Sequence, residues 1–127
     1  MKNGLKYLAL KAWETRENAS VLGETKVGAA LLSASGEVYC GCNVEQLYRN
    51  KDIHAEVSAI NNMISSGEKK FSKIIIVAKR EKFTPCGTCM DWIFQFGGPE
   101  TVVAYQNEIN GEIYKFTAKE LMPHYPF

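Results

Sequence analysis

The amino-acid sequence predicts an α/β fold in which a mixed five-stranded sheet is flanked by helices. Segments with apolar residues at helical spacing alternate with short strand-like segments along the chain. The run KIIIVAK (73–79) is continuous and rich in β-branched residues, which favours a central strand buried on both faces. The loop NEING between TVVAYQ (101–106) and EIYKFT (112–117) is too short for a parallel crossover, so the last two strands are predicted to be antiparallel.

The first part of the chain predicts one helix followed by a β-hairpin. Apolar residues recur at roughly helical spacing near the N-terminus, which predicts a helix over residues 3–20. The segments VGAALLSA (27–34) and EVYCGCNV (37–44) are strand-like, and Ser35 and Gly36 between them are typical of a turn. These two strands are therefore predicted to pair with each other.

Three further helices are predicted from their end signals. The second helix begins at His54 and ends at Gly67, a residue suited to the left-handed C-terminal cap. The third helix follows Pro85 and stops at a Gly-Gly-Pro sequence. Thr117 and Glu120 match a capping box, which predicts a short final helix.

The composition is typical of one compact domain. The chain has 127 residues, 46% of them hydrophobic, without an internal repeat or linker, which predicts a single domain over residues 1–127. Lys6 and Lys11 interrupt the apolar residues at the N-terminus, so we predict neither a signal peptide nor a membrane span and expect a cytoplasmic protein. The net charge of +1 argues against a polynucleotide as partner.

Two short motifs bring metal-binding side chains to predicted helix starts. His54 and Glu56 stand at the start of the second helix, and Cys86 and Cys89 at the start of the third. Side chains at a helix start can point past its end, and the partial positive charge there is expected to lower the pKa of a thiol. We therefore predict one Zn²⁺ per subunit with His54, Cys86 and Cys89 as ligands, which leaves a fourth position for water. Glu56 is predicted to be catalytic, because it can take a proton from that water and pass it to a substrate.

The residues alone also allow other interpretations of the cysteines. Cys86 and Cys89 have the spacing of a redox pair, which would form a disulfide without metal. Together with Cys40 and Cys42 they would make a four-cysteine structural zinc site, although residues two apart on a strand have little freedom to wrap a metal. We favour buried strand thiols for Cys40 and Cys42, and a surface position for His124.

Five motifs follow one another over nearly the whole chain, namely KVGAALL (26–32), GCNVE (41–45), HAE (54–56), PCGTC (85–89) and ELMP (120–123). Their order and spacing resemble those of the cytidine deaminase family. The combination of HxE with PCxxC is also the general signature of zinc-dependent nucleobase deaminases. The resemblance implies a three-layer fold and a zinc hydrolase that converts cytidine or deoxycytidine to uridine or deoxyuridine in pyrimidine salvage, with release of ammonia.

The resemblance further implies which residues bind the nucleoside. Asn43 and Glu45 would hold a hydroxyl of the sugar, a role that amide and carboxylate groups can share. The backbone NH of Ala55 would bind the carbonyl of the base, and the backbone carbonyl of Thr84 would bind the departing amine. Phe127 or Tyr125 in the C-terminal tail would reach the site of a neighbouring subunit, as in a homotetramer or a dimer.

Several positions depart from the family pattern. Thr25 stands where the family often has a phenylalanine that packs on the nucleoside, so Tyr48 or Phe127 is expected to supply that surface. Val57 stands where the family has an arginine whose charge offsets three thiolate ligands. The loss of that arginine agrees with the replacement of one anionic cysteine ligand by the neutral His54. Met90 replaces another arginine.

These departures leave alternatives for the function. The altered region around Thr25 would permit a modified cytosine nucleoside such as blasticidin S as substrate. A zinc-stabilised nucleoside-binding module without turnover is a second alternative, although a structural site has no need of Glu56. The short NEING joint favours a free nucleoside, because deaminases of polynucleotides have a helix at that point.

Overall fold

The computed structural model describes residues 4–126 and confirms the predicted fold class. The elements in chain order are α1 (Leu5–Arg16), β1 (Val27–Ser33), β2 (Val38–Cys42), α2 (Ala55–Ser65), β3 (Phe71–Ala78), α3 (Gly87–Phe96), β4 (Val102–Gln106), β5 (Ile113–Thr117) and α4 (Ala118–Leu121). The strands form one mixed sheet with the order β2-β1-β3-β4-β5.

The central strand is β3, as its apolar sequence predicts. It pairs antiparallel with β1, where Gly28 faces Val77, and parallel with β4, where Ile75 faces Ala104. Residues 74–77 are at most 1% exposed, because helices cover both faces of the sheet. The β4–β5 pair is antiparallel, as the short joint between these strands predicts.

The helices lie in two layers on opposite faces of the sheet. Leu8, Ala12 and Trp13 of α1 are buried on one face. On the other face α2 and α3 contribute Ile60, Met63, Ile93 and Phe94, among others, to a second apolar cluster. Within residues 4–126 no helix combines the length and the apolar character needed to cross a membrane.

Gly41 allows α2 to lie very close to β2. A Cβ atom at this position would overlap the backbone nitrogen of Ala59 and would lie 2.7 Å from the carbonyl oxygen of Ala55. Because both obstacles belong to the backbone of α2, no side-chain rotation could relieve the overlap. The absence of a side chain at Gly41 therefore fixes the position of the start of α2.

Helix α1 is shorter than predicted, because it ends at Arg16 instead of residue 20. The backbone NH of Ser20 donates to the carbonyl of Asn43 at 3.1 Å, and the carbonyl of Ser20 accepts from the NH of Glu45 at 2.8 Å. These hydrogen bonds satisfy the backbone NH and carbonyl groups of Ser20 beside the end of β2. Continuing the helix to Ser20 would therefore add no backbone hydrogen bond that these groups lack.

The predicted signals at the other helix ends are present. Gly67 follows α2 with a φ of 100°, in the left-handed region that favours glycine. Thr117 and Glu120 form the predicted capping box of α4. His54 is the N-cap residue of α2 and Cys86 is the N-cap residue of α3, so both motifs singled out in the sequence stand at helix starts.

Candidate metal centre and active-site cavity

His54, Cys86 and Cys89 converge at the starts of α2 and α3. Neither His54 nor Cys86 uses its side chain to cap its own helix, so both side chains are free to point past the helix ends. Nδ1 of His54 lies 3.3 Å from Sγ of Cys89 and 3.5 Å from Sγ of Cys86. The three candidate ligand atoms all lie within 4.8 Å of one another. The convergence predicted from the sequence is therefore confirmed.

The chemistry of this group fits zinc. An imidazole nitrogen and two sulfur atoms are donors that zinc prefers, and a three-ligand set is typical of a catalytic zinc site. Within residues 4–126 no second group of histidine, cysteine or acidic side chains comes together in this way. Cys40 packs on the α1 face of the sheet and all four cysteines are free, so the alternatives of a four-cysteine site and a disulfide are not supported.

The pKa of the Cys89 thiol differs from the sequence-based expectation. Burial raises this pKa far above its usual range, and the neighbouring side chains of Glu56 and Cys86 raise it further. The lowered pKa expected at the helix start is therefore not found for Cys89, whose pKa is raised by burial and by its neighbours. A cation bound among these side chains would offset the cost of ionising the buried Cys89 thiol, which is a second reason why the group fits a metal ion.

Glu56 lies in the first turn of α2 beside this group. Its side chain is buried, with the residue only 6% exposed. Burial raises the pKa of the Glu56 carboxyl, while His54 and the Cys89 thiol partly offset this effect. A carboxyl whose pKa lies above its ordinary value is suited to both accepting and returning a proton near neutral pH.

A cavity of about 250 Å³ opens beside the candidate metal centre. Four substrate-binding residues that the sequence predicts line it, namely Asn43, Glu45, Ala55 and Thr84. His54, Glu56 and Cys86 line it as well. Phe127 lies outside the described residues, so its role stays a prediction.

Asn43 is held rigidly in the cavity wall. Its Oδ1 accepts a hydrogen bond from the backbone NH of Val27 at 2.8 Å, and its Nδ2 donates to the carbonyl of Thr25 at 3.0 Å. The side chain therefore fixes the chain before β1, and the second lone pair and second amide hydrogen remain for a ligand.

Glu45 anchors an earlier part of the same connection between α1 and β1. Its Oε1 accepts hydrogen bonds from the backbone NH groups of Leu22 at 2.7 Å and Gly23 at 2.9 Å. These bonds lower the pKa of the Glu45 carboxyl. The carboxylate is therefore ionised at neutral pH and its orientation is fixed before any ligand binds.

Sequence reasoning missed the aromatic residue of the cavity. Phe83 lines the cavity and packs against Tyr105, with ring centroids 4.9 Å apart. Tyr48, which was expected to supply this surface, is 80% exposed and does not line the cavity. The signal for Phe83 was its position directly before Thr84 and the PCGTC motif. Thr25 does line the cavity, as the family pattern implies.

Removal of zinc is expected to destabilise the protein. A ligand that binds only the folded chain raises the Tm, by about 10 °C for a chain of this size at a hundredfold excess of free zinc over Kd. Calorimetric scans with zinc and with a chelator measure this difference. Cys89→Ser is expected to abolish the zinc-dependent shift, whereas Cys40→Ser keeps it. An equal shift in both variants would contradict the assignment of the site.

The fold and this site together define the class of the protein. A three-layer α/β arrangement that holds one histidine and two cysteines at helix starts, beside a buried carboxyl in a cavity, is the construction of a zinc-dependent deaminase. The model of the cytidine and deoxycytidylate deaminase zinc-binding region matches residues 2–106. The chain therefore belongs to the cytidine deaminase family, whose members are zinc hydrolases acting on C–N bonds.

Individual relatives support this assignment. A cytidine deaminase from Sporosarcina psychrophila is 33% identical over 118 residues, which cover 91% of this chain and 86% of the relative. A blasticidin-S deaminase from Bacillus cereus is 30% identical over 106 residues, or 76% of this chain and 74% of the relative. The crystal structure of a cytidine deaminase from Burkholderia pseudomallei superimposes with a TM-score of 0.84 and 29% identity, covering 92% of this chain and 94% of that one.

Proposed function

We propose that this protein hydrolyses cytidine or deoxycytidine to uridine or deoxyuridine with release of ammonia. The single observation that carries the proposal is the buried carboxyl of Glu56 next to the His54, Cys86 and Cys89 group, at the wall of a cavity. A purely structural zinc site gains nothing from such a carboxyl, since burial makes its ionisation costly. The alternative of an inactive binding module is therefore less well supported.

Zinc would be held by His54, Cys86 and Cys89, and when bound it supplies a Lewis acid that makes water nucleophilic near neutral pH. Glu56 accepts the proton that water loses and returns it to the ring nitrogen next to the amine-bearing carbon. The water oxygen bonds to the amine-bearing carbon, Glu56 passes the remaining hydroxyl proton to the amine, and the C–N bond breaks to release ammonia and leave a carbonyl. The raised pKa of the Glu56 carboxyl supports both directions of transfer.

The remaining cavity residues would orient the nucleoside. The backbone NH of Ala55, next to both His54 and Glu56, would donate to the base carbonyl. The backbone carbonyl of Thr84 would accept from the departing amine. Asn43 and Glu45 would bind the sugar, and their hydrogen bonds to neighbouring backbone support this role because they hold both groups in position before binding.

A modified cytosine nucleoside is the second candidate substrate. It is supported by the similarity to the Bacillus cereus blasticidin-S deaminase and by Thr25, a small side chain at the cavity wall where the family often has a phenylalanine. Both substrates share the cytosine amine, so the roles of Glu56 and the zinc ligands are the same for each.

The direct test is ammonia release by the zinc-loaded protein. Cytidine, deoxycytidine, cytosine, adenosine, guanosine and blasticidin S form the panel. Turnover of cytidine or deoxycytidine at the highest kcat/KM supports the first proposal, and turnover of blasticidin S alone supports the second. Stoichiometric zinc without turnover of any member would contradict both.

We further propose a homotetramer, with a dimer as the smaller alternative. Large apolar side chains lie exposed close to the cavity, including Leu47 at 70% and Tyr48 at 80%, and Val44 and Ile53 of the cavity wall are partly exposed too. An exposed apolar cluster of this kind supports a protein interface. Tyr125 stacks on Phe94 and donates to Asp91 in its own chain, which leaves Phe127 as the candidate to reach a neighbour. Light scattering that finds an active monomer would contradict this proposal.

The cellular setting is also a proposal. We propose a single domain over residues 1–127 that works in the cytoplasm on free nucleosides of pyrimidine salvage. Four free cysteines support a reducing compartment. The net charge of +1 and the short β4–β5 joint support a small substrate in preference to a polynucleotide.

A further inference from the structure

The cavity contains two arginines whose surroundings differ. Nε of Arg49 lies 2.8 Å from a carboxylate oxygen of Asp52, and its terminal nitrogen lies 3.7 Å from Glu45. The positive charge of Arg49 is therefore already compensated within the protein. Arg80 also lines the cavity, but among residues 4–126 no carboxylate or other acceptor binds its guanidinium group.

The guanidinium group of Arg80 is nevertheless held in place by an aromatic ring. Its guanidinium carbon lies 5.9 Å from the centroid of the Phe83 ring, which lines the same cavity and packs in turn on Tyr105. A cation over an aromatic face is held by the ring quadrupole, while its N–H groups stay available in the plane of the guanidinium. Arg80 is exposed, and residues 79–82 comprise three cations and the exposed acid Glu81, so this segment carries a net positive charge.

We propose that Arg80 binds an oxyanion attached to the 5′ position of the sugar, so that cytosine nucleosides with a 5′-phosphate or 5′-carboxylate are preferred substrates. This inference rests on the proposed function. In a nucleoside the 5′ substituent and the 2′,3′-hydroxyls lie on opposite faces of the sugar. A sugar bound through its hydroxyls by Asn43 and Glu45 therefore directs its 5′ group away from them.

The remaining cavity wall offers one group suited to that substituent. Glu45, Asp52 and Glu56 are acidic and would repel an anion, and Arg49 is occupied by two of them. The guanidinium of Arg80 can donate two parallel hydrogen bonds to the oxygens of a phosphate or a carboxylate. A neutral 5′-hydroxyl would leave this cation without a matching group.

Binding of the reaction products tests the inference without relying on turnover. Calorimetric titrations of the zinc-loaded full chain would compare uridine, uridine 5′-monophosphate and uridine 5′-carboxylic acid. We expect the wild type to bind at least one of the two anionic ligands about tenfold more tightly than uridine. Arg80→Ala is expected to remove that preference. Lys82→Ala, which deletes an equal charge from the same segment outside the cavity, is expected to retain it.

The outcomes separate this inference from the proposed function. Equal affinities for the three ligands in the wild type, or an anion preference that survives in Arg80→Ala, would overturn the role of Arg80. The affinities of the two anionic ligands distinguish a phosphate site from a carboxylate site, because only the anion that fits the site is expected to gain affinity from Arg80. Ammonia release from cytidine and cytidine 5′-monophosphate is measured in parallel, and absence of both reactions contradicts the deaminase proposal whatever the titrations find.

Discussion

Glu56→Gln is expected to lower kcat for deamination by about 10²- to 10⁴-fold, the usual contribution of a positioned general acid–base group. The amide has nearly the shape of the carboxyl but can neither accept the proton from water nor return it to the base. KM is expected to change little, because Glu56 acts on the reacting atoms and the proposed sugar contacts belong to Asn43 and Glu45. Steady-state ammonia release with cytidine measures both constants.

Zinc content and a second variant make the Glu56 experiment interpretable. Glu56→Gln is expected to retain zinc, because the three candidate ligands do not include this residue. Glu14→Gln removes an exposed carboxylate of α1, on the opposite face of the sheet, and is expected to keep normal kcat. Near-normal turnover of zinc-loaded Glu56→Gln would exclude the proposed proton transfer.

Gly41→Ala is expected to destabilise the protein by about 3 kcal/mol, at the upper end of the cost of overpacking. The added methyl group would overlap the backbone of α2 at Ala59 and Ala55, so either the helix or β2 must move. Movement of α2 would also displace His54 and Glu56 from the cysteines of α3. We therefore expect a loss of zinc affinity together with the loss of stability.

Gly87→Ala is the matched control for Gly41→Ala. No atom of residues 4–126 lies within 4 Å of a Cβ atom at position 87, although this residue stands in the first turn of α3 between the two cysteines. Alanine also favours the helix over glycine. Urea unfolding and zinc titration of both variants measure the effect, and equal stability of the two would show that the close approach at Gly41 is not required.

Local sequence signals were sufficient for the framework of the site. The β-branched run of β3 specifies a strand buried on both faces without reference to its neighbours. Cys86 was predictable at a helix start because Pro85 precedes it, and His54 because the apolar pattern of the second helix follows it directly. Once both motifs are placed at helix starts on either side of one strand, their convergence follows from the order of the elements.

The remaining features depend on contacts between distant parts of the chain. The end of α1 at Arg16 is set by hydrogen bonds from Ser20 to the end of β2, which no local pattern encodes. The raised pKa of the Cys89 thiol results from burial and from its neighbour Glu56, and these override the local effect of the helix. The presence of Phe83 and Arg80 in the cavity wall depends on how the chain leaves β3, which spacing alone does not determine.

The position of the two motifs on either side of β3 has a consequence for synthesis and refolding. A growing chain that has emerged only as far as β3 carries His54 but neither Cys86 nor Cys89. In the complete chain His54 lies 32 positions from Cys86 and 35 from Cys89, and contacts between residues so far apart form more slowly than contacts within one helix. We therefore expect zinc to bind only after most of the fold has formed, and to stabilise the folded chain without nucleating its folding.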